Sequence, residues 1–362
     1  MDHTSRQIRL NKVLGQNRLD ALLVTHLPNI RYLSGFSGSA GVLLVGQRQV
    51  LLFTDGRYKE QACAEVEGAR VMLGRKAALV SAGEWLNENG KRAGIRTLGI
   101  EAQHLTVAER AQLQKALRPD TRLREVPPLV ERARMVKDEE EINRLRSAVR
   151  LGSSLFDAAL KVIRPGTKEI EVAAEMEYEA RRAGAEGMSF ETIIASGPRS
   201  ALPHGRASTA EIPPNGFVVC DFGIILAGYC SDTTRTVHVG KPNGDARNMY
   251  DAVREAQQAA IDSVRAGVSV AKVDQAARKV LTARGLGKYF THSTGHGVGL
   301  EIHEMPRVAR GQPEHLRSGM AITVEPGVYL PGVGGVRIED MVVVSEGGCE
   351  VLTPTSKKLI II

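Results

Sequence analysis

Aromatic residues are scarce in this chain of 362 residues: phenylalanine, tryptophan and tyrosine together make up 4%. That leaves few platforms on which single-stranded bases could stack. Lysine and arginine are numerous enough to give a formal net charge of +7, yet they are scattered and nowhere form a run of five. The charge therefore reads as solvated surface, and no nucleic-acid partner is expected. The four cysteines (Cys63, Cys220, Cys230 and Cys349) form no CxxC pair. A zinc ribbon is excluded, and the pattern suits a reducing compartment. Cys220 and Cys230 sit in apolar, strand-like segments, where a thiol acts as a small hydrophobe. No apolar run approaches the roughly 18 residues of a membrane span. Met1-Asp2-His3-Thr4-Ser5-Arg6 leads into a polar amphipathic stretch and not into an apolar signal core. A cytoplasmic protein without membrane association is expected.

What remains is an ordinary globular composition, 43% hydrophobic and 25% charged, at a length that suggests two domains. The first third alternates between patterns. Ser5 to Leu19 has helical spacing, while Ala21–Thr25, Val42–Val45, Val50–Phe53, Val71–Leu73 and Leu98–Ile100 read as strands. Val107 to Leu117 reads as another helix. Strands separated by helices predict an α/β layer on a mixed or parallel sheet. Pro127-Pro128 breaks the pattern. The expected division is 1–126 for the first domain, 127–134 for a linker and 135–362 for the second.

The second part opens with Asp138 and Glu141, spaced as a capping box, ahead of Ile142, Leu145, Val149, Phe156 and Leu160 at helical spacing. Further helices are expected from Thr167 to Ala183-Gly184, Asp245 to Ala266 and Ser269 to Arg284, two of them closed by Gly267 and Gly285. Phe217–Leu226 with Gly228–Val239 reads as one hairpin, and Ala321–Leu330 with Gly335–Val344 as another. This half is therefore α+β, with helices covering a largely antiparallel sheet.

The densest chemistry lies in His292-Ser293-Thr294-Gly295-His296-Gly297-Val298-Gly299-Leu300-Glu301-Ile302-His303-Glu304. Its glycines let backbone approach a ligand closely, and its histidines can bind metal or carry protons. Asp221, Asp232, Glu325 and Glu339 each interrupt an apolar, strand-like run. Four carboxylates and a histidine are the inventory for two divalent ions about 3.5–4 Å apart that activate a water. A first hairpin turning about Leu226-Ala227 would set Asp221 opposite Asp232, and a second centred on Gly332 would set Glu325 opposite Glu339. Like charges so opposed destabilise a sheet unless a cation relieves them. Any one of these acids alone is most simply a surface residue of a half-exposed strand; the set of four with His296 is not. His204, in the turn-rich Leu202-Pro203-His204-Gly205-Arg206, reads by itself as a solvated loop histidine.

Together with Cys220-Asp221-Phe222-Gly223, Ser231-Asp232-Thr233-Thr234-Arg235-Thr236, Glu325-Pro326-Gly327 and Gly335-Val336-Arg337-Ile338-Glu339-Asp340, the histidine segment resembles the pita-bread metallopeptidases of family M24. These are the Xaa-Pro aminopeptidases, Xaa-Pro dipeptidases (prolidases), methionine aminopeptidases and creatinases. The resemblance implies a pita-bread α+β catalytic domain after about residue 135 and a smaller creatinase-like α/β domain before it. It implies that Asp221, Asp232, His296, Glu325 and Glu339 bind two metal ions, Mn²⁺ first and Co²⁺ or Zn²⁺ as alternatives. Asp232 and Glu339 would bridge the ions, and a hydroxide held between them would attack the Xaa–Pro carbonyl. Glu325 is implied as general base. His204 and His303 would stabilise the tetrahedral intermediate and the leaving amine. His292 would position substrate, and Arg337 would orient Glu339 or hold substrate. Gly35–Gly41 and Thr54–Tyr58 resemble the first domains of Xaa-Pro aminopeptidases in particular. The expected substrates are therefore peptides with proline second, with prolidase as the alternative and a non-catalytic binding module a remote third. The expected assembly is a homodimer.

Overall fold

The structure, a computed structural model, describes residues 1–362, which divide into two compact units, Met1–Arg134 and Met135–Ile362. The first unit runs α1 (His3–Gln16), β1 (Ala21–Val24), α2 (Leu27–Ser34), β2 (Val42–Gly46), β3 (Val50–Asp55) and α3 (Lys59–Glu65). It continues β4 (Arg70–Gly74), α4 (Ala78–Ala93), β5 (Thr97–Glu101), α5 (Val107–Ala116), β6 (Arg122–Val126) and α6 (Leu129–Arg134). The sheet order is β4-β3-β2-β1-β5-β6. β1 pairs parallel to β5 and antiparallel to β2, so the sheet is mixed, as the alternation predicts. Every residue of β1 and β2 is buried. That is why these strands are continuous apolar runs and do not alternate: both sheet faces are covered.

Residues 127–134, expected as a linker, instead carry α6. Pro128 sits just ahead of Leu129, and its carbonyl accepts the Arg132 N–H at 3.1 Å, so the proline pair starts a helix as well as ending a strand. Val130 is buried, and Arg134 Nη1 donates to Asn29 Oδ1 at 2.8 Å, which ties the helix into the first unit.

The second unit begins with α7 (Glu139–Val162) and α8 (Glu169–Arg182), followed by β7 (Gly187–Met188), β8 (Ile193–Ser196), β9 (Gly216–Phe222), β10 (Ile224–Leu226), β11 (Tyr229–Cys230) and β12 (Thr233–Val239). The Asp138–Glu141 capping box forms at the start of α7. Then come α9 (Gly244–Ser263), α10 (Val270–Ala283), β13 (Gly295–Gly297), β14 (Glu304–Val308), β15 (Ala321–Val324), β16 (Gly327–Leu330), β17 (Gly334–Arg337), β18 (Asp340–Val344) and β19 (Cys349–Val351). All strand pairings in this unit are antiparallel. Two cores result. Leu155, Phe156, Val172 and Met176 of α7 and α8 pack on Val218, Cys220, Phe222 and Val237. Val253, Ala260, Val273 and Leu281 of α9 and α10 pack on Ile322, Val324, Val336 and Val342. No helix of the chain is long and apolar enough to cross a membrane.

The first hairpin turns one residue later than expected. Leu226 pairs with Tyr229, so Ala227 and Gly228 form the loop, both with positive φ (49° and 80°). Two-residue hairpin loops take this conformation because it matches strand twist. The register therefore slips by two, and Asp221 faces Thr234, not Asp232. A slip of two leaves the sheet face unchanged.

In the second hairpin Gly327 pairs with Arg337 and Val324 with Asp340, which is the expected register. The ladder is interrupted between these pairs, at Glu325-Pro326 and Ile338-Glu339.

Replacing Gly228 by Ala puts a Cβ on a left-handed residue. It is expected to destabilise the protein by about 1–2 kcal/mol in urea titrations with an unchanged m-value.

Candidate active site

Three of the four acids sit where a ladder breaks: Asp232 between β11 and β12, Glu325 between β15 and β16, and Glu339 between β17 and β18. Asp221 is the penultimate residue of β9. Breaks release side chains from strict alternation, so acids from different strands turn to one point. His296 joins them from β13. There Gly295 passes so close to β15 that a Cβ would lie 2.0 Å from the Thr323 carbonyl oxygen. Only glycine permits that approach.

The ligand atoms of Asp232, His296 and Glu339 lie within 4.8 Å of one another. His296 Nε2 is 3.5 Å from Asp232 Oδ2 and 3.4 Å from Glu325 Oε1. Its Nδ1 lies 2.9 Å from the Gly297 carbonyl. A proton on Nδ1 leaves Nε2 as a lone-pair donor toward the acids, the second-partner arrangement of metal-binding histidines. Asp221 Oδ2 accepts from Arg337 Nη2 at 2.5 Å, and Glu339 Oε2 accepts from Thr234 Oγ1 at 2.7 Å. The other oxygens, Asp221 Oδ1 and Glu339 Oε1, are buried without any hydrogen-bond partner. Buried oxygens are costly unless something positive meets them. Four carboxylates and one imidazole suit a hard to borderline divalent ion. The residues present therefore fit a metal site.

Electrostatics says the same. Burial, reinforced by Glu339, Asp221 and Glu325, raises Asp232 well above the usual carboxylate range. Burial and the neighbouring acids raise Glu339 as well. Glu325 is pushed up to about 7, chiefly by burial and secondarily by Asp221. Burial holds His296 below the usual imidazole value and drives His292 down to about 4, with Arg337 assisting at His292.

Arg337 is the one guanidinium among the acids. It was expected to orient Glu339 or to hold substrate. Its bonds go to Thr234 Oγ1 (3.1 Å), Pro203 O (3.0 Å), Tyr329 Oη (2.7 Å) and Asp221. It touches Glu339 only through Thr234 and is 3% exposed, so it braces the site from behind. His292 Nε2 meets Tyr329 Oη at 3.0 Å. His303 lies over His296 with ring centroids 4.4 Å apart and is itself exposed. His204 is exposed on its loop and lies near enough to His292 and His303 to interact with both. All the expected site residues thus share one region. Tyr329 and Thr234 join them without having been singled out from the sequence. Each lies in a motif-bearing strand, but only the fold shows what its hydroxyl meets.

Residues 143–346 match the model of metallopeptidase family M24. The chain belongs to metallopeptidase family M24. Residues 6–136 match the creatinase/prolidase N-terminal domain. The chain is 38% identical to an Xaa-Pro dipeptidase of Pyrococcus horikoshii over 99% of this chain and 100% of that one. It is equally identical to an uncharacterised peptidase of Bacillus subtilis, over 98% and 99%. Among solved structures, an Xaa-Pro dipeptidase from Bacillus anthracis superposes with a TM-score of 0.95 at 40% identity, covering 99% and 100% of the two chains. An X-Pro aminopeptidase from Thermotoga maritima superposes at 0.89 with 35% identity, covering 98% and 100%. This member of the M24 prolidase-type family is a metallopeptidase, and so a hydrolase, whose pita-bread catalytic domain follows a creatinase-like one in the chain.

The raised Glu325 gives a pH signature in metal-free protein. Folded Glu325 keeps its proton up to about 7, whereas an unfolded glutamate loses it near its ordinary value of 4.5. Between those values the folded state binds more protons, so rising pH destabilises it. Glu325→Gln removes that contribution. Its stability relative to metal-free wild type is expected to grow steadily from pH 4.5 to 7 and then level off, read by denaturant midpoints.

Thr234→Val should weaken metal affinity about 10- to 100-fold by releasing Glu339, as measured by chelator competition.

Proposed function

We propose that this chain is an Xaa-Pro dipeptidase, and the observation that carries the reading is Arg307. On the β13–β14 pair Arg307 stands directly opposite His296, so both side chains leave the same face of the sheet. Arg307 is exposed and forms no ion pair. A dipeptidase must hold the free carboxylate of the terminal proline, and a guanidinium beside the metal-binding histidine suits that task. The dipeptidase relatives, matched over nearly their full length, support the same choice. The aminopeptidase leaning drawn from Gly35–Gly41 and Thr54–Tyr58 gives way to the dipeptidase relatives, which cover those motifs as well.

Asp221, Asp232, His296, Glu325 and Glu339 would hold two divalent ions, with Mn²⁺ the best match to their carboxylate-rich donors. Such ions supply Lewis acidity toward the scissile carbonyl and acidify water. The chain's own residues do the rest. Glu325, 3.4 Å from His296 Nε2, would take the attacking water's proton. The bond to proline is a tertiary amide, so the departing nitrogen must gain a proton, and Glu325 can return the one it took. His303, lying over His296, would donate a hydrogen bond to the developing oxyanion. His204 does so from the opposite loop. His292, neutral and tied to Tyr329, shapes the substrate pocket. A reducing, cytoplasmic setting suits the four free cysteines, and we expect a homodimer.

The test is hydrolysis of an Xaa-Pro dipeptide and an Xaa-Pro-Xaa tripeptide by metal-stripped protein, with and without Mn²⁺. Cleavage of the dipeptide, dependent on metal, is expected. Efficient cleavage of the tripeptide would restore the aminopeptidase reading. Arg307→Met should lower kcat/KM for the dipeptide by about 10- to 100-fold, mainly through KM.

A further inference from the structure

His204 sits on a loop without regular structure of its own beyond a short 3-10 turn, Gly197–Ala201. A histidine on such a loop can stabilise a transition state only where something rigid holds the backbone beneath it. The holding group is a carboxylate from another element. Glu169 is the first residue of α8 and is 0% exposed. Its Oε1 accepts from the Ser196 N–H (2.8 Å) and Ser196 Oγ (2.9 Å). Its Oε2 accepts from Arg199 Nε (3.0 Å), the Ser208 N–H (3.2 Å) and Ser208 Oγ (2.7 Å).

These partners lie at the two ends of the loop and on its first arm; none belongs to α8 itself. Two amides at the start of α8 complete the seam: the Glu169 N–H donates to Ala210 O (3.0 Å) and the Ile170 N–H to Ser208 O (2.9 Å). Arg199 extends the anchor inward, since its Nη2 donates to Arg206 O at 2.8 Å. From the other side Arg337, already braced against Asp221, donates to Pro203 O, the residue before His204. The loop is thus pinned at its base by a buried carboxylate and beside its histidine by the guanidinium of the site. A fully buried carboxylate is costly unless every lone pair is met. Here all of that compensation is given to one loop.

We propose that Glu169 is a positioning residue for the hydrolysis, holding the 196–208 loop so that His204 faces the reacting carbonyl. The proposal rests on the role given to His204 above. Glu169→Gln keeps the shape but turns one acceptor into a donor facing donors. It is expected to lower kcat on the order of 100-fold, with KM and bound metal nearly unchanged.

The deciding measurement is a double-mutant cycle with His204→Ala on the metal-loaded enzyme, alongside amide hydrogen exchange. If Glu169 acts through His204, the double variant is about as slow as the slower single, and residues 197–208 alone lose exchange protection in Glu169→Gln. Fully additive losses, or an unchanged exchange pattern in the loop, would overturn the proposal. Where Glu169→Gln does not fold, Ser208→Ala and Arg199→Met each remove one arm of the anchor and carry the same cycle. Should wild type cleave neither peptide, the dipeptidase reading fails, while the exchange pattern still decides whether Glu169 holds the loop.

Discussion

Four carboxylates buried at one point, with a single guanidinium among them, are the constraint that the catalytic unit is built to satisfy. Left alone, such a cluster repels itself and opposes folding. The chain spreads the cost over separate strands. Arg337 neutralises Asp221, Thr234 donates to Glu339, Thr323 donates to Glu325, and two oxygens are left bare for a cation. The acids are held in place by groups that cannot themselves replace the metal. Arg235 shows the same economy one layer out: buried, it donates to the carbonyl of Glu339 and pairs with Asp340 at 2.7 Å, anchoring the chain beside Glu339 without touching its carboxylate.

The same burial sorts the titratable groups into roles. In the metal-free protein it lifts Glu325 to about 7 and lowers His292 to about 4, so near neutral pH the acid can exchange a proton while the histidine stays an uncharged hydrogen-bonding group. Nothing in the intrinsic chemistry of glutamate and histidine separates them this way; the surroundings do. Backbone contacts then set the angles. The Glu325 N–H donates to Thr294 O at 2.7 Å, which couples Glu325 to the segment bearing His296. Asp274 and Arg278 of α10 grip that segment from outside, through Thr294 Oγ1 and the His292 carbonyl.

Much of this was legible before any fold was known. Apolar runs broken by single acids mark strands that turn a side chain inward, and the Gly-His-Gly spacing marks a backbone that must pass close to its neighbour. The Glu325–Glu339 register followed from one turn position because both flanking ladders continue it. The Asp221–Asp232 register did not. Leu226-Ala227 and Ala227-Gly228 are equally short turns on paper, and the positive φ at Ala227 has no signature in a residue that usually avoids it. Pro127-Pro128 was legible as a break, but a proline can open a helix as readily as it ends a strand, and tertiary contact through Arg134 decided for the helix. The place of Arg307 was not legible either, because it is one unremarked basic residue until β13 and β14 set it across from His296.

The sequence by itself determined the inventory: which residue types, in which order, with apolar neighbours that commit them to the interior. Periodicity and turn chemistry are local, so helices, strands and the family of the site could be read from neighbours along the chain. Tertiary structure alone decided the partnerships. That Arg337 braces Asp221 and not Glu339, that Tyr329 joins His292 to that guanidinium, and that Glu169 reaches a loop some 30 residues away are matters of distance in space. No local pattern encodes them, because a hydrogen bond depends on where two atoms lie and not on how far apart they stand in the chain.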